Sequence, residues 1–191
     1  ALAVGRATLN VTMVDAGAPA ALLQADELGI DLSSMGAGLG AHLPQLVSAR
    51  AAAGLAMGLR KPEDPPQNAI PKVGVVAPAA DYTAADGSLV TAGSHDLRVR
   101  MLSMLAPHPA IGLTSAVAVS LAAAVPGSLV ADVLPQSRTG QLLRLGTPAG
   151  VITTEVVTDG SGAVTEVALH RAARQLAVAD IDVARSMAQT A

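Results

Sequence analysis

Thr114 and Ser115 open a wholly apolar run, L-T-S-A-V-A-V-S-L-A-A-A-V, that extends from Leu113 to Val125. The pattern predicts a helix over 113–125, stopped by Pro126-Gly127. A helix start offers backbone N–H groups with no intrahelical partner, and hydroxyls beside them complete a receptor for a small carboxylate. The plainer alternative is that Thr114 or Ser115 caps the helix and no ligand is involved. His108 lies in the loop before the helix, where a lone histidine is most often just exposed. His95-Asp96 has the composition of a general-base pair, but adjacent strand residues point to opposite faces and do not cooperate directly. Arg98 and Arg100 share one strand face and could steer an anion, although a solvated face is the simpler reading. His42 opens a helix and His170 flanks Arg171, so both read as surface residues. No histidines and carboxylates stand at metal-ligand spacing, so no metal is expected. The absence of cysteine excludes a disulfide, a thiolate site and a thiol nucleophile.

The elements that must position these residues follow from periodicity. Arg6 to Val14 alternates as a strand, and Ala20 to Leu23 is a short buried one. Ala25 to Ile30 reads as a single turn closed by Gly29. Gly36-Ala-Gly-Leu-Gly40 has the wrong spacing for a dinucleotide loop and reads as a glycine-rich connection. His42 to Leu59 is a helix, and the proline-rich stretch from Lys61 to Pro71 is a loop. Lys72 to Ala77 is a buried strand, Asp86-Gly87 a hairpin turn, and Leu97 to Leu102 a strand with one polar edge. Gln141–Leu145, Val151–Val157 and Ala163–Leu169 complete the strands. The sum is α+β, with residues 1–176 as one domain and 177–191 as a C-terminal tail. An all-apolar helix needs covering on every side, and a curled, mainly antiparallel sheet around a buried central helix supplies it.

Composition bounds the partners. Net charge is −3 with no basic cluster, and the chain has one tyrosine, no phenylalanine and no tryptophan. Nucleic acid is therefore not expected, since it requires clustered cations or stacking platforms. Ala110 to Val130 carries no charge and approaches bilayer-spanning length, but its glycines, serines and Pro126 favour a buried helix in a soluble domain. No membrane partner and no signal peptide are read, and a cytoplasmic location is expected. The chain opens on alanine rather than methionine, as a processed or excised chain would.

The blocks Val14–Pro19, Pro71–Pro78, Asp96–Met104, Gly146–Gly150 and Arg171–Arg174, in order along most of the chain, resemble the PrpF-type isomerases, which include 2-methylaconitate cis-trans isomerase and 4-oxalomesaconate tautomerase and are relatives of diaminopimelate epimerase. Val14-Asp-Ala-Gly-Ala-Pro19 resembles the family's N-A-G-N-P turn, and Pro71-Lys-Val-Gly-Val-Val-Ala-Pro78 its P-K-(I/V)-A-F-V-A-P strand. Asp96-Leu-Arg-Val-Arg-Met-Leu-Ser-Met104 is similar to D-(I/L)-x-V-R-x-L-S-M. His108, Thr114 and Ala116-Val117 follow the H…(L/G)-T-x-A-V pattern. Gly146-Thr-Pro-Ala-Gly150 resembles G-H-P-S-G, and Arg171-Ala-Ala-Arg174 the C-terminal R-(T/S)-A-R.

The resemblance implies a diaminopimelate epimerase-like fold of two halves, of which this chain matches the C-terminal one. It implies proton transfer on a small di- or tricarboxylate without a cofactor, in a site between the halves. Gly112, Leu113, Thr114 and Ser115 would then hold the substrate, with His108 and Thr147 nearby, while the acid and base residues stay unassigned. Thr147 replaces a family histidine, Ala149 a serine and Ala18 an asparagine, and Gly112 stands where the epimerase has its catalytic cysteine. Two readings follow. One is an isomerase half that needs an N-terminal half. The other is a non-catalytic carboxylate-binding or assembly domain that pairs with a second copy of itself. Either leaves an apolar face to be covered, so a dimer is expected.

Overall fold

The computed structural model describes residues 1–5, 7–33, 37–138, 140–170 and 175–180. From the amino end the elements are β1 (Leu2–Val4), β2 (Ala7–Leu9), β3 (Thr12–Asp15), β4 (Pro19–Gln24), α1 (Ala37–Ala41), α2 (Leu43–Ala56), β5 (Lys72–Pro78), β6 (Tyr82–Thr83) and β7 (Leu89–Val90). They continue with β8 (Leu97–Ser103), β9 (Ala106–Pro107), α3 (Leu113–Ala123), α4 (Leu129–Asp132), β10 (Leu142–Thr147), β11 (Gly150–Thr158) and β12 (Val164–Leu169).

Alternate residues of β4 and β5 enter two separate cores. Leu22 and Val76 join an inner cluster with Val99, Met101, Ala116 and Val119. Ala21, Leu23, Val73 and Val75 join an outer cluster with Leu46, Ala49 and Ala53 of α2. A strand covered on both faces needs no polar alternation, which is why these segments read as nearly continuous apolar runs. Each valine or leucine so buried contributes roughly 1.5–3 kcal/mol of transfer free energy.

The main sheet has the order β12-β11-β10-β8-β5-β4-β3, with β9 folded back on β8. Pairing is antiparallel except at β4–β5 and β8–β10, which are parallel. Helix α3 packs against β3 and β4 at one end of this order and against β11 and β12 at the other. A sheet whose two ends touch one helix must curl around it. The molecule is thus α+β, a mainly antiparallel sheet wrapped on a central helix.

The wrapping is incomplete, which corrects the expectation of cover on every side. Leu113 and Val125 are about half exposed, and Val117, Leu121 and Ala124 are only partly covered. Leu113, Val117 and Leu121 recur every four positions and, with Val125 just past the helix end, form one open stripe along α3. The expected strand from Arg6 to Val14 is split into β2 and β3. Asn10 leaves the ladder because its backbone N–H and side-chain amide both donate to the Glu27 carboxylate, at 2.9 and 3.2 Å. The expected glycine connection is a helical turn instead, since Ala37–Ala41 forms α1. A Cβ at Gly38 would lie 2.7 Å from the Asp31 carbonyl, so that glycine serves close backbone packing. Helix α2 ends at Ala56, short of Leu59, with Gly58 at φ +68° turning the chain. Arg171–Arg174 and the tail from 181 lie outside the described residues. Among the described residues no helix is long and apolar enough to cross a membrane.

Candidate functional site

Strand register gathers the singled-out segments at one end of the curled sheet. In the parallel pair Gly146 sits level with Arg98, so the β10–β11 turn lies beside Arg100 and Met101. Gly74 faces Met101 across the antiparallel pair, which puts Lys72 and the start of β5 at that same end. Ala20 pairs with Lys72, so the Asp15–Pro19 turn before β4 joins them. Strand β9 doubles back on β8, and the His108 N–H donates to the Met101 carbonyl at 2.8 Å. The loop then enters α3 with its amino end among these turns.

That amino end is open. Its cap position is Gly112, in extended backbone (φ −68°, ψ 148°), and no side chain bonds the first turn. Neither Thr114 nor Ser115 caps the helix, so the plainer reading of those hydroxyls is overturned. The Gly112 carbonyl accepts from Ala116 N–H at 2.9 Å, and the N–H groups of Leu113, Thr114 and Ser115 meet no acceptor among the described residues. Three aligned donors and the positive end of the helix dipole favour an anion there. Thr114 is exposed and Ser115 is buried. A Cβ at Gly112 would meet only the Ser115 Oγ, at 3.7 Å, so the glycine keeps the approach to that hydroxyl clear.

His108 stands at the same end, half-buried. Its Nδ1 accepts from Ala110 N–H at 3.0 Å, which leaves the proton of the neutral ring on Nε2, free to donate outward. Thr147 is also brought to this end, but its side chain is consumed by the β10–β11 turn. Its Oγ1 donates to the Gly150 carbonyl at 2.8 Å and accepts from Ala149 N–H at 3.2 Å, and the residue is fully buried. Gly112, Leu113, Thr114 and Ser115 therefore form one open helix end, His108 lies in the loop that leads to it, and Thr147 braces the β10–β11 turn at the same end of the sheet.

Lys72 is the residue that sequence reading missed. It shares the inner face of β5 with Gly74 and Val76, the face turned toward α3, and it begins the strand at the open end. The signal was present: Val73, Val75 and Ala77 form the outer set, and alternation assigns Lys72 to the other. Among the described residues it is the cation that register brings to the α3 side of that end.

The His95-Asp96 pair just before β8 has structural roles. His95 is buried, its Nδ1 lies 3.1 Å from the Thr91 carbonyl, and its ring meets Tyr82 edge-on. Burial pushes His95 below its usual range, so the ring is neutral and its Nδ1–H is the donor to Thr91. Asp96 bonds Arg144 instead. Arg100 corrects the expectation of a solvated face. It is 2% exposed, because Tyr82 and Leu32 cover the outer side of β8.

The comparisons with known proteins agree with this architecture. The crystal structure of a methylitaconate-delta-isomerase superposes with a TM-score of 0.77 at 22% identity, covering 88% of this chain and 46% of that one. The 2-methyl-aconitate isomerase of Shewanella oneidensis is 34% identical over 181 residues, 91% of this chain and 45% of that protein. The (4E)-oxalomesaconate Delta-isomerase of Novosphingobium sp. is 32% identical over 175 residues, 88% and 44% of the two chains. The chain thus spans less than half the length of the curated relatives it matches. The model of the PrpF protein family matches residues 1–184, and with these similarities the chain belongs to the PrpF family.

Proposed function

We propose that this chain is the carboxylate-holding C-terminal half of an isomerase that moves a proton on a small di- or tricarboxylate. The observation that carries the reading is the uncapped amino end of α3, with three unspent N–H groups at a rim that also bears Lys72 and His108. Removing a proton from carbon beside a carboxylate builds negative charge on the carboxylate oxygens. Fixed N–H donors stabilise that charge without reorganising, and Lys72 adds a cation. The chemistry is completed by an acid and a base that we assign to an N-terminal half, covalently joined or separate, across the site.

A second reading is a binding or assembly domain of the same fold that pairs with its own copy. The Thr147 hydroxyl, consumed within its turn, favours it, because one polar contact to substrate is then missing.

Titration with cis-aconitate, followed by backbone amide resonances, tests both. Saturable shifts at Leu113, Thr114 and Ser115 are expected. Gly112→Val keeps an extended backbone at the cap but sets carbon over the Ser115 hydroxyl, and should weaken binding about tenfold, or 1.4 kcal/mol. Solvent deuterium entering the ligand with this chain alone would overturn the need for a second half. Binding without exchange by the chain alone is expected of both readings, exchange that appears once an N-terminal half is added favours the isomerase half, and no binding at α3 defeats both.

A further inference from the structure

Where β8 ends against β9 and the β10–β11 turn, a cavity of about 320 Å³ is walled by Leu39, Arg100, Met101, Pro107, His108, Pro109 and Pro148. Its lining is apolar except for Arg100 and His108. Arg100 is a buried cation with no carboxylate against it among the described residues. Its Nη1 donates to the carbonyls of Val99 and Gly146 at 2.9 and 3.0 Å, and its Nη2 to Leu32 at 3.3 Å. Its Nε is buried with no partner. The guanidinium stacks 4.7 Å over Tyr82, and the other charge that acts on it is the like-charged Arg98. Burial lowers its pKa to about 10, which leaves it charged at neutral pH. A desolvated cation with only neutral partners is destabilising until an anion meets it. Nε and Nη2 lie on one edge of the planar group, the edge that grips a carboxylate through two parallel bonds. His108, with its proton on Nε2, is the second polar group of the wall.

We infer that this cavity is an acid-binding site separate from the mouth of α3, and that it takes a short branched-chain monocarboxylate. The carboxylate pairs with Arg100, and the alkyl arm lies among Leu39, Met101 and the three prolines. Arg100 projects to the outer face of β8 and none of Gly112–Ser115 lines the cavity, so the inference stands whether or not α3 holds a substrate, although His108 is common to both surroundings.

Isovalerate and its uncharged amide, isovaleramide, are titrated separately into the full chain while the backbone amides and the Arg100 Nε–H are followed by NMR. The expected result is a saturable shift of the Leu39 and Arg100 amides with isovalerate, at least tenfold weaker with isovaleramide. Arg100→Gln should abolish it. If that variant does not fold, the contrast between acid and amide in the native chain decides. An equal response to the amide, binding unchanged in a folded Arg100→Gln, or shifts confined to Leu113–Ser115 would overturn the inference.

Discussion

Asp96 ties the entry of β8 to β10. One carboxylate oxygen accepts from Arg144 N–H at 2.8 Å, and the other accepts from Nη2 and Nε of the same residue at 2.6 and 3.2 Å. Burial by itself would raise the Asp96 carboxyl, but these bonds outweigh it and hold the group below the usual carboxylate range. The stability it contributes is therefore complete above its unfolded value, near pH 3.9, and is lost as pH falls through the lower folded value. Asp96→Asn should cost about 2 kcal/mol at pH 7 in urea denaturation, and the gap from the native chain should narrow below about pH 4. An equal gap at pH 7 and pH 3 would remove the charge from this account. The sequence allowed Arg98 and Arg100 one shared fate, yet Arg98 is only partly covered and Arg100 is buried. What separates them is Tyr82 and Leu32, packed from distant segments. Spacing within one strand cannot report a lid that comes from elsewhere.

Helix α3 and most of the strands were legible because each carries its own period and its own stop. Pro126-Gly127 marks the end of the helix, and Gly127 turns the chain at φ +77°. The break between β2 and β3 was not legible, since Glu27 makes it from another segment. The close approach of β5 to β8 belongs to the same hidden class. A Cβ at Gly74 would sit 2.1 Å from Met101 Sδ and 2.9 Å from the Arg100 carbonyl. Gly74→Ala should therefore destabilise by about 2 kcal/mol through overpacking. Met101→Ala in the same chain should not restore stability, because the Arg100 carbonyl is backbone and cannot step aside. Full rescue by that second change, read from thermal melts, would place the strain in the side chain alone. Lys72 belongs here too. Its face follows from strand alternation, but its place at the rim follows only from register with β4 and β8.

At the scale of the whole molecule, a curled sheet that stops at β3 and β12 leaves two edges and one stripe of α3 open. Leu113 and Val125, exposed, and Val117 and Leu121, partly covered, lie along that stripe, and apolar residues left open in series mark a contact surface. The sequence anticipated an apolar face but not its position, because which side of a uniformly apolar helix stays bare depends on where the sheet ends. Under either proposed reading the stripe is covered in the working assembly, by an N-terminal half or by a second copy. For the chain alone, the second copy is the available partner. Sedimentation velocity at micromolar concentration should give a dimer. Val117→Glu places a carboxylate in the middle of the stripe, where pairing would bury it unpaired, and should shift the population to monomer with an unchanged circular dichroism spectrum. A dimer insensitive to that charge would move the interface to the sheet edges, where β3 and β12 offer unpaired backbone groups. A native chain that stays monomeric would show that the stripe does not drive self-association, and would leave the second copy without support as its cover.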